Sequence, residues 1–192
     1  MADSRQASGF GLERGKVFPA AHARSLLNPL RKLVQSPERT VAAIRIGRAD
    51  RVLELGCGPG YFSPAIARAT RGGVVFLDLQ AEMLEMVRER VPEPLSFRVQ
   101  ADGARLPFAD GSFDVVFVAT VLGEIPDQGA CLDEVRRIVR RDGVVAIAET
   151  RRDSDFIALP ALQALTARHG FRFADKRGFG WQYVARFRPA EP

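Results

Sequence analysis

An apolar run that breaks into three glycines within five residues, VLELGCGPGYF from Val52 to Phe62, most narrows what this chain can become. Val52 to Leu55 reads as a short buried strand, and Tyr61 to Thr70 as a helix. Between them, Gly56, Gly58 and Gly60 let the backbone turn sharply and approach a ligand, while the helix start offers N–H groups with no partner of their own. Such a loop sits at the ligand crevice of an open α/β sheet. The dinucleotide fingerprint G-x-G-x-x-G would place its third glycine on Tyr61, too bulky for the close helix packing required there. The loop is G-x-G-x-G.

The rest of the chain continues the alternation. Periodicity predicts a helix over Pro37 to Ile46, then strand Val74 to Leu77, helix Glu82 to Arg90 and strand Ser96 to Gln100. A loop through Asp110 follows, then strand Asp114 to Ala119, helix Cys131 to Arg140, strand Val144 to Ala148 and helix Leu159 to Arg168. Strand and helix in turn are the signature of a parallel sheet, and valine and phenylalanine runs suit strands covered on both faces. FRFADKRGFGWQYVARF at the end reads as two alternating strands about a Gly178 to Gly180 turn, an antiparallel hairpin. The expected fold is α/β: one Rossmann-like doubly wound sheet, mostly parallel, with that hairpin at its C-terminal end.

With 192 residues, 46% apolar and 27% charged, one soluble domain is expected, and no run approaches the ~18 apolar residues of a membrane helix. Residues 1–16 lack an apolar signal core and read as a mobile tail. Residues 17–47 form a helical lid segment carrying Val17, Phe18, Leu26, Leu27, Leu30, Leu33 and Val34, broken by prolines 19, 29 and 37; residues 48–192 form the core. Two distant cysteines, Cys57 and Cys131, and two histidines have no metal-ligand spacing, so no metal is expected and the cytoplasm is the expected compartment. The net charge of +5 comes largely from arginines beside acids, as at Arg88, Arg90, Arg136, Arg137, Arg140 and Arg141, the pattern of solvated, ion-paired helix faces rather than a nucleic-acid surface. The strongest contrary patch is Arg24, Arg31 and Lys32.

Three further motifs stand in register with the glycine loop. VVFLDLQAEML ends its strand in Asp78, 22 residues beyond Gly56, where a carboxylate can accept both hydroxyls of an adenosine ribose; the same aspartate also suits the cap of the next helix. In QADGARLPFADGSFDVVF, Asp102 ends the third strand and can accept from an exocyclic amine, although an Asp-Gly turn is an equal reading. CLDEVRRIVRRDG leading to VVAIAET says helix, turn and strand. Together the four motifs, from about Arg51 onward, resemble the class I S-adenosylmethionine-dependent methyltransferases, in particular the small-molecule branch with the ubiquinone/menaquinone-type enzymes. The resemblance implies S-adenosylmethionine as cofactor, held by Gly56, Cys57, Gly58, Gly60, Asp78, Leu79, Asp102, Gly103, Ala104, Ala119 and Thr120. That ligand has no phosphate, so Pro59 is tolerable in the loop, and Glu54 is a favourable neighbour for its ammonium and sulfonium charges. Met83 either covers the adenine or is a core residue.

Displacement of a methyl from sulfonium depends mostly on proximity and alignment, and a general base is optional. Glu124 is the first candidate base, with Glu149 and His22 next. Related enzymes often carry a histidine after the fourth strand, where this chain reads VLGEI. The Asn/Asp-Pro-Pro-aromatic run of amino-methylating nucleic-acid enzymes is missing from ATVLGEIP, as are the cysteine nucleophile of pyrimidine C5 enzymes and the several thiols of arsenite enzymes. The expected partner is a small apolar or aromatic methyl acceptor, with a homodimer as a further possibility. A cofactor-binding module without catalysis, or a nicotinamide-dependent oxidoreductase in the same crevice, are the alternatives; the second lacks the glycine spacing and a Tyr-x-x-x-Lys pair.

Overall fold

The computed structural model describes residues 18–91, 96–178 and 181–191. The expected tail over 1–16, Val17 and the tip of the last hairpin after Gly178 lie outside these residues. A 3₁₀ helix over Ala20–Leu27 leads to α1 (Arg31–Val34) and α2 (Pro37–Ile44). Ser36 caps α2 by accepting from the Arg39 N–H, and Arg45, in the left-handed region at φ 64°, ends it two residues before the predicted stop. Then follow β1 (Val52–Leu55), α3 (Ser63–Ala69), β2 (Val74–Asp78), α4 (Ala81–Arg90), β3 (Ser96–Gln100) and β4 (Phe113–Ala119). The chain finishes with α5 (Gln128–Ile138), β5 (Val139–Thr150), α6 (Leu159–Arg168), β6 (Phe171–Arg177) and β7 (Gln182–Pro189).

All seven strands form one sheet in the order β3-β2-β1-β4-β5-β7-β6. Strands β1 to β5 are mutually parallel, and β7 runs antiparallel between β5 and β6. The order reverses direction at β1, which places the ends of β1 and β4 at the topological switch point where α/β sheets hold ligands. Two apolar clusters cover the two faces: α2, α3 and α4 pack on Val52, Phe76, Val115 and Phe117, while α5 and α6 pack on Leu53, Leu55, Val116, Val118 and Ile147. Each fully buried aliphatic or aromatic side chain there contributes about 1.5–3 kcal/mol.

Beyond the early stop of α2, two further elements depart from the sequence expectation. The helix α3 starts at Ser63 rather than Tyr61, because Gly60 at φ 82° turns the chain and Pro64 sets the first helical turn; Tyr61 and Phe62 are buried before it. Strand β5 begins at Val139, directly at the end of α5, so that VRRDG, with three exposed polar residues, is strand rather than turn. The arginines of the helix faces are ion-paired, Arg88–Glu85 at 3.0 Å and Arg137–Glu134 at 2.8 Å, and Arg140, on β5 rather than a helix, pairs with Asp114 of β4 at 2.7 Å. No helix among the described residues is long and apolar enough to cross a membrane.

Candidate active site

A cavity of about 610 Å³ opens at the carboxyl ends of β1, β2, β4 and β5 and is walled on its outer side by Phe18, Leu26, Leu30, Arg31 and Gln35. Its lining holds five carboxylates (Glu54, Asp78, Asp102, Glu124, Asp153) and two guanidinium groups (Arg31, Arg152), an acidic site in a chain of net charge +5. Leu30 stays 67% exposed and borders this opening together with Phe18 and Leu26, while Leu27 packs against the core and Ala23 is buried.

Glu54, on the last turn of the β1 pleat, shares the α3 face of the sheet, where Ser63 donates a 2.6 Å hydrogen bond to its carboxyl. Burial, helped by the charge of Asp78, pushes this acid up to about 8. Such a group is neutral or ionised near neutrality according to whether a cation lies beside it. The Cys57 thiol is driven well above its ordinary value by burial and by Glu54 and Asp78, which removes it as a nucleophile.

Asp78 ends β2 with one carboxyl oxygen accepting from Gly58 N–H at 2.8 Å and the other from Gln80 N–H at 3.0 Å. The side chain thus ties the glycine loop to Gln80, the residue that precedes α4, and lines the cavity; α4 itself starts after Gln80 with no side-chain cap, so Asp78 is not the cap the sequence suggested. Burial raises its pKa against those backbone bonds. Space beyond Gly58 is open, with no atom within 4 Å of where a Cβ would stand, whereas a Cβ on Gly60 would lie 3.1 Å from Val87 in α4. Gly58 thus leaves room for a ligand, and Gly60, outside the cavity lining, serves helix packing.

Gly56, Leu79, Met83, Gly103, Ala119 and Thr120 all line the cavity. Met83 is 2% exposed, packed in the core and bordering the site at once. Asp102 lines the cavity while accepting from Ala104 N–H at 2.9 Å; Ala104 itself stands behind that turn, outside the lining. Thr120 holds φ 52°, a conformation costly for a β-branched residue, and its hydroxyl reaches the Asp153 carboxylate.

The three candidate bases separate. Glu124 faces the cavity, accepts from Phe18 N–H, and is pushed up to about 7 by burial and by Asp153, Asp155 and Asp78. Glu149 does not reach the lining: it is 1% exposed beneath the β5–α6 loop, accepting from Ile157 N–H at 3.4 Å, and burial raises it to about 8. His22 is exposed on the 3₁₀ helix, also outside the lining.

Sequence reasoning missed the residues that hold the outer wall down. Gln80 donates from Nε2 to Phe18 O at 2.8 Å and accepts Ala20 N–H at 3.2 Å on Oε1. Tyr61 donates to Gln35 O at 2.7 Å, and the Arg31 guanidinium lies 4.3 Å from the Tyr61 ring centre while binding Gln35 and Leu26 O. Arg31 was legible only as one charge in a basic patch. Burial lowers its pKa, against the pull of Tyr61 and Asp153.

Residues 53–147 match the family described as a methyltransferase domain. A phosphatidylethanolamine N-methyltransferase of Cereibacter sphaeroides is 34% identical over 120 residues, 60% of this chain and 58% of that protein. A demethylmenaquinone methyltransferase of Lactobacillus johnsonii is 32% identical over 113 residues, 56% of this chain and 46% of that protein. The chain thus matches roughly half the length of these curated relatives. In fold it is similar to a SAM-dependent methyltransferase from Aquifex aeolicus, with TM-score 0.81 at 18% identity over 89% of this chain and 98% of that one.

Proposed function

Because the chain belongs to the class I S-adenosylmethionine-dependent methyltransferases, we propose that it transfers the methyl of S-adenosylmethionine to a small molecule with an apolar or aromatic body. The observation that carries this reading is the convergence of Glu54, Asp78 and Asp102, from the ends of three adjacent strands, on one cavity of about 610 Å³. Their donor set fits the ligand: a buried carboxyl for a cation, a carboxylate for a diol, and a third acceptor for a ring amine. When bound, S-adenosylmethionine supplies an electrophilic methyl on a sulfonium whose leaving group is a neutral thioether.

In this reading Glu54 is held ionised by the ammonium and sulfonium charges that replace water beside it. Asp78 accepts from the ribose while Gly58 leaves room for the methionine part, and Asp102 with Gly103 meets the adenine edge. Residues 17–47 act as a lid over the core of 48–192. Phe18, Leu26 and Leu30 wall the acceptor against Ile125, excluding water and aligning the nucleophile, which is where most of the rate enhancement of a displacement arises. Glu124, the candidate base that lines the cavity, takes the acceptor's proton where one must leave. Free, buried Cys57 and Cys131 support a cytoplasmic setting.

Calorimetric titration with S-adenosylmethionine and S-adenosylhomocysteine tests the cofactor, with micromolar binding expected, about −8 kcal/mol. Incubation with methyl-labelled cofactor and metabolite extracts tests the transfer. Folded protein that gives no heat with either ligand would refute the reading.

A further inference from the structure

Resting on the proposed methyl transfer, the charge distribution of the cavity says which kind of atom is methylated. We infer that the acceptor is an amine, bound with its nitrogen against the Glu124 carboxylate and its apolar body against Phe18, Leu26 and Ile125.

Of the five carboxylates in the lining, Glu54, Asp78 and Asp102 belong to the cofactor side. The other two stand after β4 and β5. Asp153 is already compensated, by the Thr120 hydroxyl and by the charge of Arg31. Glu124 is not: it accepts a backbone N–H from Phe18, and no cation is seen to pair with it among the described residues. The Arg31 guanidinium is committed to Gln35, Leu26 O and the Tyr61 ring, and Arg152 is exposed.

Behind this wall lie two more buried acids. Asp155 and Glu149 are 8% and 1% exposed, and one carboxyl oxygen of each is buried with no hydrogen-bond partner. Burial first, and then the charges of Asp153, Asp155 and Asp78, push Glu124 up to about 7, which suits it to take a proton from a bound ammonium.

The direction of charge movement decides between acceptors. An ammonium hands one proton to Glu124, and the freed nitrogen lone pair forms the N–C bond as the C–S bond breaks with its electron pair left on sulfur. Positive charge so moves from sulfur to nitrogen, toward the carboxylates of Asp153 and Asp155 that act on the now protonated Glu124. A phenol or enol would instead have to build an oxyanion among the same acids, where like charges oppose it.

Matched probes test this. The protein saturated with S-adenosylhomocysteine is titrated calorimetrically with 2-phenylethylamine and 2-phenylethanol, and with octylamine and octanol. The amine of a pair should bind roughly tenfold or more tightly than its alcohol. Glu124→Gln, which keeps an oxygen for the Phe18 N–H, should erase the preference and leave S-adenosylhomocysteine affinity in place. Asp153→Asn should keep most of it. Equal binding of amine and alcohol, no amine binding in either pair, or a preference that survives Glu124→Gln overturns the inference. The wild-type comparison stands even where a variant does not fold. Failure of S-adenosylhomocysteine itself to bind would instead overturn the proposed function beneath it.

Discussion

Replacing Gln80 by alanine should loosen the outer wall of the cavity without touching the core. The Gln80 amide bridges residues 18 and 20 to the start of α4 through two hydrogen bonds, 2.8 Å to Phe18 O and 3.2 Å from Ala20 N. Both are partly buried and neutral, so each contributes about 0.5–1.5 kcal/mol net, and their joint loss costs about 2 kcal/mol. The segment keeps Glu124 on Phe18 N–H, Tyr61 on Gln35 O, Arg31 on the Tyr61 ring and the packing of Ala23 and Leu27. A change of that size multiplies the fraction of molecules with the segment open by about thirtyfold. Amide hydrogen exchange read by mass spectrometry should show it as faster exchange in peptides covering residues 18–30, with peptides from β1 and β4 unchanged. Gln80→Glu, which sets a carboxylate against the Phe18 carbonyl, should have at least as large an effect. Unchanged exchange over residues 18–30, or equal acceleration in the sheet, would show that Gln80 does not clamp this segment.

Two further outcomes follow from the buried acids. Glu54, Glu124 and Glu149 sit at about 8, 7 and 8, above the ordinary 4.5, so the folded ligand-free protein binds more protons than the unfolded chain between those values. Its thermal midpoint should fall as pH rises from about 5 to about 8, and Glu149→Gln should flatten part of that fall; a midpoint that climbs through this window would contradict the burial of these groups. Asp78→Ala removes an ionised acceptor whose hydrogen bonds contribute about 1.5–3 kcal/mol each, and should raise the S-adenosylhomocysteine dissociation constant tenfold or more by calorimetry. Wild-type affinity in that variant would place the ribose elsewhere.

Much of this architecture is written locally. Val52–Leu55, Ser96–Gln100 and Leu159–Arg168 stand where the pattern of apolar residues puts them, because a strand or helix buried on a given face must repeat with its own period. Glu54 and Asp102 could be placed near strand ends because a glycine loop or an Asp-Gly turn marks where the strand stops, and Asp78 because the apolar run of its strand breaks there before a helical pattern. Glycine roles were less legible, since spacing does not tell Gly58, open to the cavity, from Gly60, pressed toward Val87.

What no local pattern holds is contact across the chain. Gln80 meets residues 60 and 62 positions earlier, and nothing in a glutamine at a helix start announces that partner. Glu124 and Glu149 are the same residue type near the ends of neighbouring strands, the first and second candidates from sequence. Tertiary packing separates them: Glu149 pairs across β5 and β7 with Tyr183 and is sealed beneath the loop at Ile157, while Glu124, in the loop after β4, turns into the cavity under Phe18. The sequence by itself determined the order of strands and helices and which strands end in acids, because those follow from short-range periodicity and turn chemistry. Only the folded sheet, by setting each strand end against its neighbours, decided which of those acids reach a ligand and which are sealed in the interior.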